Sequence, residues 1–359
     1  MTMPNETTHN QILALGSDPE LRHRFMVLDD PLQGNLRFGL LLEVLDKIAE
    51  ETALKYVTRH YPEARVVTAA IDDIFLRHAA DVKRDIAFYA RINHVGRSSL
   101  VVGIRVEQPG EPVNHIASCH FTMVARSGSG DNAISVTLPP LEYLDDLEKK
   151  RSAKALASRT EYQRQQALLF EPPSREEFEM LAKLHQAQDD SGLAGRRAHD
   201  EICFRGYKAG RLVTESWERM YPEKENVPRS IFGGYLIRRA FELSAICSEL
   251  VAPDRSLIAA VTRINFFKPV RIGDTLHYTS RVVYTSGSFV CVEASIERTS
   301  RDRNTKALSN SCFFTFVNVD SNLVHQPVPE IYPSTYAEDA RYLAARRNLQ
   351  ELVAHHAII

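Results

Sequence analysis

Residues 69–107 read AAIDDIFLRHAADVKRDIAFYARINHVGRSSLVVGIRVE, and residues 259–297 read AAVTRINFFKPVRIGDTLHYTSRVVYTSGSFVCVEASIE. The two align without a gap at a shift of 190, which takes Ile71 to Val261, Arg91 to Arg281, Ser98 to Ser288 and Glu107 to Glu297. Further along, SCHFT at 118–122 returns as SCFFT at 311–315. Upstream, a glycine-bearing helical segment precedes each copy: FGLLLEVLDKIAEE from Phe38 and FGGYLIRRAFELSAI from Phe232. Solenoid repeats run at about 20–50 residues, so a period this long is a duplicated domain. Duplication lets each copy keep only half of a shared site.

The length of 359 residues fits two cores. A net charge of −2 sets aside nucleic-acid binding, which needs a basic excess or stripe. No apolar run approaches the roughly 18 residues of a membrane span. The opening MTMPNETTHNQ has no basic region followed by an apolar core, so it does not read as a secretory signal. The five cysteines are odd in number and scattered, with no CxxC. That spacing implies a reduced, cytoplasmic setting, mitochondrial only behind an atypical or removed presequence, with no metal. No cofactor is expected.

Each copy runs helix, then strands. In the first, Phe38–His60 is helical by spacing, with Leu41, Leu45, Ile48 and Ala49 on one stripe. Strand-like runs follow near 66–75, 85–93, 98–107 and 115–125. In the second, the helix spans about 232–250, with strands near 257–267, 275–284, 289–299 and 307–317. Short connections make the sheet antiparallel. The fold class is therefore α+β: a tandem hotdog, each half a long helix wrapped by a curved antiparallel sheet. The division is a tail (1–19), a first hotdog (20–135), a charged helical linker (136–199), a second hotdog (200–322) and a C-terminal helical tail (323–359). The linker reads as two solvent-facing helices interrupted at Pro172–Pro173.

A helix start that is rich in glycine and buried in a sheet presents unpaired amide groups and about half a positive charge. It can stabilise an oxyanion, and Gly233–Gly234 would let a carbonyl approach closely. Asn226, in the loop before it, reads alone as a turn or cap residue. Comparing the copies changes that reading. Setting Phe38–Gly39 against Gly233–Gly234 puts Asp46 opposite Phe241 and Pro31 opposite Asn226, a shift of 195. One copy has an acid in an apolar helix and no loop amide; the other has the amide and no acid. If the copies face each other, Asp46, Asn226 and the 233–234 helix start make one site, and the mirror pocket near Pro31 and Phe241 lacks an acid or amide in reach.

These residues carry a resemblance to a known family. The Asn-x6-Gly-Gly helix start at 226–234, the RFGLLLEVLD segment at 37–46 and the HVGRSS turn at 94–99 resemble the double-hotdog (ACOT-type) acyl-CoA thioesterases, in particular their mitochondrial and bacterial branch. The likeness covers about 34–107 and 226–319. It implies hydrolysis of acyl-CoA by an Asn from one hotdog and an Asp from the other, here Asn226 and Asp46. It also implies homo-oligomers of double units, such as trimers. The chain departs from the pattern at Phe38–Gly39, where two glycines are expected. Arg97, Ser98 and Ser99 are candidates for CoA contacts or simply a solvated hairpin tip. The histidines show no metal spacing, and there is no GxSxG elbow. Two other functions stay open: a hotdog hydratase or dehydratase on acyl thioesters, and a non-catalytic acyl-CoA binder.

Overall fold

A helix that is apolar on nearly every side needs a cover, and the strands of each copy supply it. The computed structural model describes residues 2–30, 32–72, 74–128, 133–168, 171–189, 204–227 and 230–355. The first half holds β1 (His9–Leu13), α1 (Pro19–Arg24), α2 (Phe38–His60), β2 (Arg65–Ile71), β3 (Ile74–Leu76), β4 (Ile86–Val95), β5 (Ser99–Gln108), β6 (Asn114–Ser127) and β7 (Ile134–Ser135). Two helices follow, α3 (Asp146–Leu168) and α4 (Arg175–Asp189). The second half holds β8 (Tyr207–Lys208), β9 (Val213–Arg219), β10 (Glu225–Val227), β11 (Ser230–Ile231), α5 (Gly233–Ser248), β12 (Arg255–Phe266), β13 (Thr275–Ser286), β14 (Phe289–Thr299), β15 (Lys306–Val319), β16 (Ile331–Tyr332) and α6 (Tyr336–His355).

One sheet runs through both halves in the order β1-β4-β5-β6-β2-β12-β15-β14-β13-β9, with β3 and β7 beside this path. The path β4-β5-β6-β2 on one side is β13-β14-β15-β12 on the other. Every pairing in this sheet is antiparallel. The seam is made by Ile71↔Ile264 and Ala70↔Asn265, with Ile74↔Val261 and Phe75↔Ala260 beside it. Even an irregularity is duplicated. Register slips between Ile92 and His94 in one hairpin and between Val282 and Tyr284 in the other, the same place at the shift of 190. A bulge kept in both copies marks a bend the curved sheet needs.

Inside the sheet, α2 buries Leu41, Leu45, Ile48 and Ala49 completely. Helices α2 and α5 lie side by side, with the Phe38 and Phe241 rings 5.4 Å apart. Two ion pairs tie them, Arg238 to Glu43 at 2.8 Å and Arg37 to Glu242 at 2.7 Å. Glu43 and Arg238 are equivalent positions in the two copies, so the helices cross at a local twofold axis.

The linker differs from a solvated connection. Helix α3 buries Ala155, and its Ser152 hydroxyl lies 3.1 Å from His94 Nδ1 of β4. Helix α4 buries Leu181 and Leu184, one turn apart, and its Glu177 pairs with Arg347 of α6 at 2.6 Å. Charge composition hid these narrow apolar stripes. Helix α6 seats Ala345, Leu349 and Leu352 on the outer face of the second half-sheet, against Ala260, Val283, Cys291 and Phe313.

Candidate active site at the crossing of the two copies

The chemistry gathers where α2 of one copy meets the start of α5 of the other. Asp46 is fully buried midway along α2. Its Oδ2 accepts the backbone N–H of Gly234 at 2.6 Å. Its Oδ1 accepts the Thr68 hydroxyl, on β2, at 2.7 Å. The carboxylate thus sits on the positive end of the α5 dipole, with one donor for each oxygen.

Burial raises the Asp46 pKa from 3.8 to about 6; the Thr68 and Gly234 hydrogen bonds pull it down, and the nearby charges of Glu50 and Glu43 push it up again. Desolvation wins because the group is cut off from water on every side. A carboxyl in this range is ionised at neutral pH and is still basic enough to take a proton.

Close approach needs the two glycines. A Cβ on Gly234 would lie 2.9 Å from Asp46 Cβ and 2.9 Å from the Phe232 ring, so any side chain there displaces the acid. A Cβ on Gly233 would meet the Phe266 ring at 3.2 Å and Asp46 Oδ2 at 3.4 Å. By position, the amide of Gly233 has no intrahelical acceptor, so it stands at the helix start beside the Gly234 amide that Asp46 takes.

The structure brings Asp46, Gly233 and Gly234 together. Asn226 lies in β10, whose short ladder to β11 (Glu225↔Ile231, Val227↔Ser230) leads straight into α5. The Asn226 side chain lies outside the described residues, and so does Pro31. Arg97, Ser98 and Ser99 are at the β4–β5 hairpin, where the Arg97 and Ser98 carbonyls accept the amides of Leu138 and Ala125. Arg97 is exposed, whereas the hydrogen bonds to Asp46 come from Thr68 and Gly234. The neighbouring helix acids Glu43 and Glu242 are engaged by arginines instead of the site.

Thr68 escaped sequence reasoning, although a signal existed. Its counterpart at the shift of 190 is Ile258, so the hydroxyl is lost in the second copy just as the acid is. At the mirror position no acid is approached head-on: a Cβ on Gly39 would meet Phe241 Cδ1 at 3.1 Å and the aliphatic stems of Arg238 and Glu242 at 3.3 Å. Asn35 lines that side, but its amide is spent on the backbone of Val27, Leu28 and Asp30.

The Thioesterase superfamily model matches residues 33–113 and 230–303, the helix and following strands of each copy. Over those two stretches the chain resembles the thioesterase superfamily. It is 26% identical over 350 residues to the human mitochondrial acyl-coenzyme A thioesterase 9, spanning 95% of this chain and 76% of that one. It is 27% identical to the chloroplastic acyl-coenzyme A thioesterase 2 of Humulus lupulus, over 87% of this chain and 72% of that one. Among solved structures, an acyl-CoA hydrolase from Staphylococcus aureus matches 41% of this chain and 90% of its own at 25% identity, with a TM-score of 0.39. Among the described residues, no helix is long and apolar enough to cross a membrane, and no group of His, Cys, Asp and Glu could hold a metal.

Proposed function

We propose that this chain hydrolyses acyl-CoA thioesters to a free acid and CoA at the single site formed by Asp46, Thr68 and the start of α5. One observation carries the reading: a fully buried carboxylate, perturbed to a pKa of about 6, is held on the helix start of the opposite copy. The relatives named as acyl-coenzyme A thioesterases support it.

In this scheme the thioester carbonyl oxygen lies against the Gly233 amide at the positive end of α5, where negative charge developing in the transition state is stabilised. Asp46 takes a proton from a water as that water's oxygen attacks the carbonyl carbon. The tetrahedral intermediate collapses by breaking the carbon–sulfur bond, and the proton passes from Asp46 to the departing sulfur. Products are the carboxylic acid and the CoA thiol. Thr68 positions Asp46, and Asn226 orients the water or the thioester from the loop before α5. General-base help of this type contributes about 10²–10⁴-fold.

Release of free thiol from acyl-CoA, followed with a thiol reagent, tests the proposal. A hydratase would change the acyl chain without releasing thiol, and a binder would do neither.

A further inference from the structure

A second acid lies on the face of α2 that carries Asp46. Glu50 is one helical turn further on, which puts the two side chains about 5–6 Å apart at Cβ. It is only 9% exposed. Its negative charge reaches Asp46 and is among the causes that raise the Asp46 pKa. The acid nearly a turn before Asp46 is neutralised, with Glu43 held by Arg238 at 2.8 Å. Glu50 has a looser partner: Lys47 Nζ at 3.5 Å, on a side chain 55% exposed and shared with Glu51 at 4.0 Å. Such a pair forms as well on a helix surface, so it does not account for a carboxylate drawn out of water.

The other copy shows which way position 50 points. Its counterpart at the shift of 195 is Ala245. Ala245 lines a cavity of about 350 Å³ together with Phe241, Ile258 and Phe316. Those three stand for Asp46, Thr68 and Met123, whose sulfur lies 3.6 Å from the Thr68 hydroxyl. The local twofold axis therefore carries this wall onto Asp46, Glu50, Thr68 and Met123, which places Glu50 in the wall of the reacting pocket. Asp46, Thr68 and Glu50 all give way to apolar residues in the copy without a base. Glu50 therefore goes with the chemistry of the acidic site.

What a fixed negative charge does there follows from the charges of the two ligands. The reacting end of a thioester is neutral. Its hydrolysis product is a carboxylic acid, which gives its proton to water at neutral pH and becomes a carboxylate. By then Asp46 has passed its own proton to the departing sulfur and is a carboxylate again. The product anion thus faces two acids in a site shielded from water, where like charges repel strongly. The neutral thioester meets no such repulsion.

We propose that Glu50 expels the product: its charge weakens binding of the free acid and spares the neutral thioester. This role rests on the hydrolysis proposed above. A like charge about 6 Å away in a partly buried site is worth roughly tenfold to a hundredfold in affinity. Lys47 offsets part of that charge, which brings the expected effect to about tenfold.

The test uses whichever of butyryl-, octanoyl- and palmitoyl-CoA is cleaved fastest, with its own free acid and its primary amide as inhibitors of thiol release. Wild type, Glu50→Gln, Glu50→Asp and the surface variant Lys47→Gln are compared at pH 8, where Asp46 is ionised in each. The inhibition constant of the free acid should fall about tenfold in Glu50→Gln and stay near wild type in Glu50→Asp. It should rise in Lys47→Gln, which removes the offsetting cation. The constant of the neutral amide, and KM for the thioester, should move less than about threefold in Glu50→Gln, which separates charge from changed packing. A free-acid constant unmoved in both Glu50→Gln and Lys47→Gln would overturn the proposal. So would acid and amide tightening together, or Glu50→Asp behaving as Glu50→Gln. A wild type that releases thiol but fails these comparisons refutes this role alone. One that releases thiol from none of the three thioesters refutes the hydrolysis as well.

Discussion

Replacing Asp46 by Asn should separate activity from stability in opposite directions. The side chains are isosteric. The introduced asparagine can turn its Oδ1 to the Gly234 amide and its Nδ2 to the Thr68 hydroxyl, so both hydrogen bonds survive with the charge removed. Hydrolysis loses its base and should fall about 10²–10⁴-fold. Stability should rise. The folded state holds Asp46 at a pKa of about 6 against an ordinary 3.8, and at roughly 1.4 kcal/mol for each pKa unit its ionisation costs the fold about 3 kcal/mol. The sign follows from linkage. Below about pH 4 the group is protonated in both states and Asp46 carries no penalty. Between pH 3.8 and about 6 the folded state binds the extra proton, so wild-type stability falls as pH rises. Above about 6 the full penalty is present. Urea unfolding of both proteins from pH 4 to pH 8 reads the difference directly. The variant should be more stable by about 3 kcal/mol at pH 8, and the gap should close on acidification. A gap independent of pH, or an Asp46→Asn enzyme with a tenth or more of wild-type turnover, would refute the reasoning.

Wild-type kcat should rise with pH through about 6, because the ionised form of Asp46 is the base; a flat pH–rate profile would remove Asp46 from that role. Thr68→Val leaves Asp46 Oδ1 unpaired, should cost about 1–3 kcal/mol, and should move the acid limb of the pH–rate profile to higher pH, with Thr68→Ser restoring it. Gly234→Ala forces a methyl to 2.9 Å from Asp46 Cβ and should destabilise by about 1–3 kcal/mol while abolishing most thiol release. Asn226→Ala should lower turnover without changing the melting temperature, whereas Glu43→Gln should keep activity and shift the acid limb slightly toward lower pH by removing a nearby negative charge.

Much of this molecule is legible in the order of its residues, because duplication prints its own comparison. Helix α2 is readable in place because leucine, isoleucine and alanine recur at helical spacing. The strands are readable because residues 69–107 return at a shift of 190 and the next strand returns at 193. Even the meeting of Asp46 with Gly233–Gly234 follows from complementary losses, an acid absent in one copy and a loop amide absent in the other. Periodicity and internal repetition are properties of the chain's order, so they survive in the sequence alone.

What only the folded chain decided is everything set by distances between elements. Thr68 and Asp46 are 22 positions apart and Gly234 is 188 away, and nothing in those spacings says that one hydroxyl and one amide will divide the two carboxylate oxygens. The pKa of about 6 depends on complete burial, a sum over every neighbour in space. The packing of α3 and α4 was masked because a few apolar residues outweigh many charged ones once they share a face.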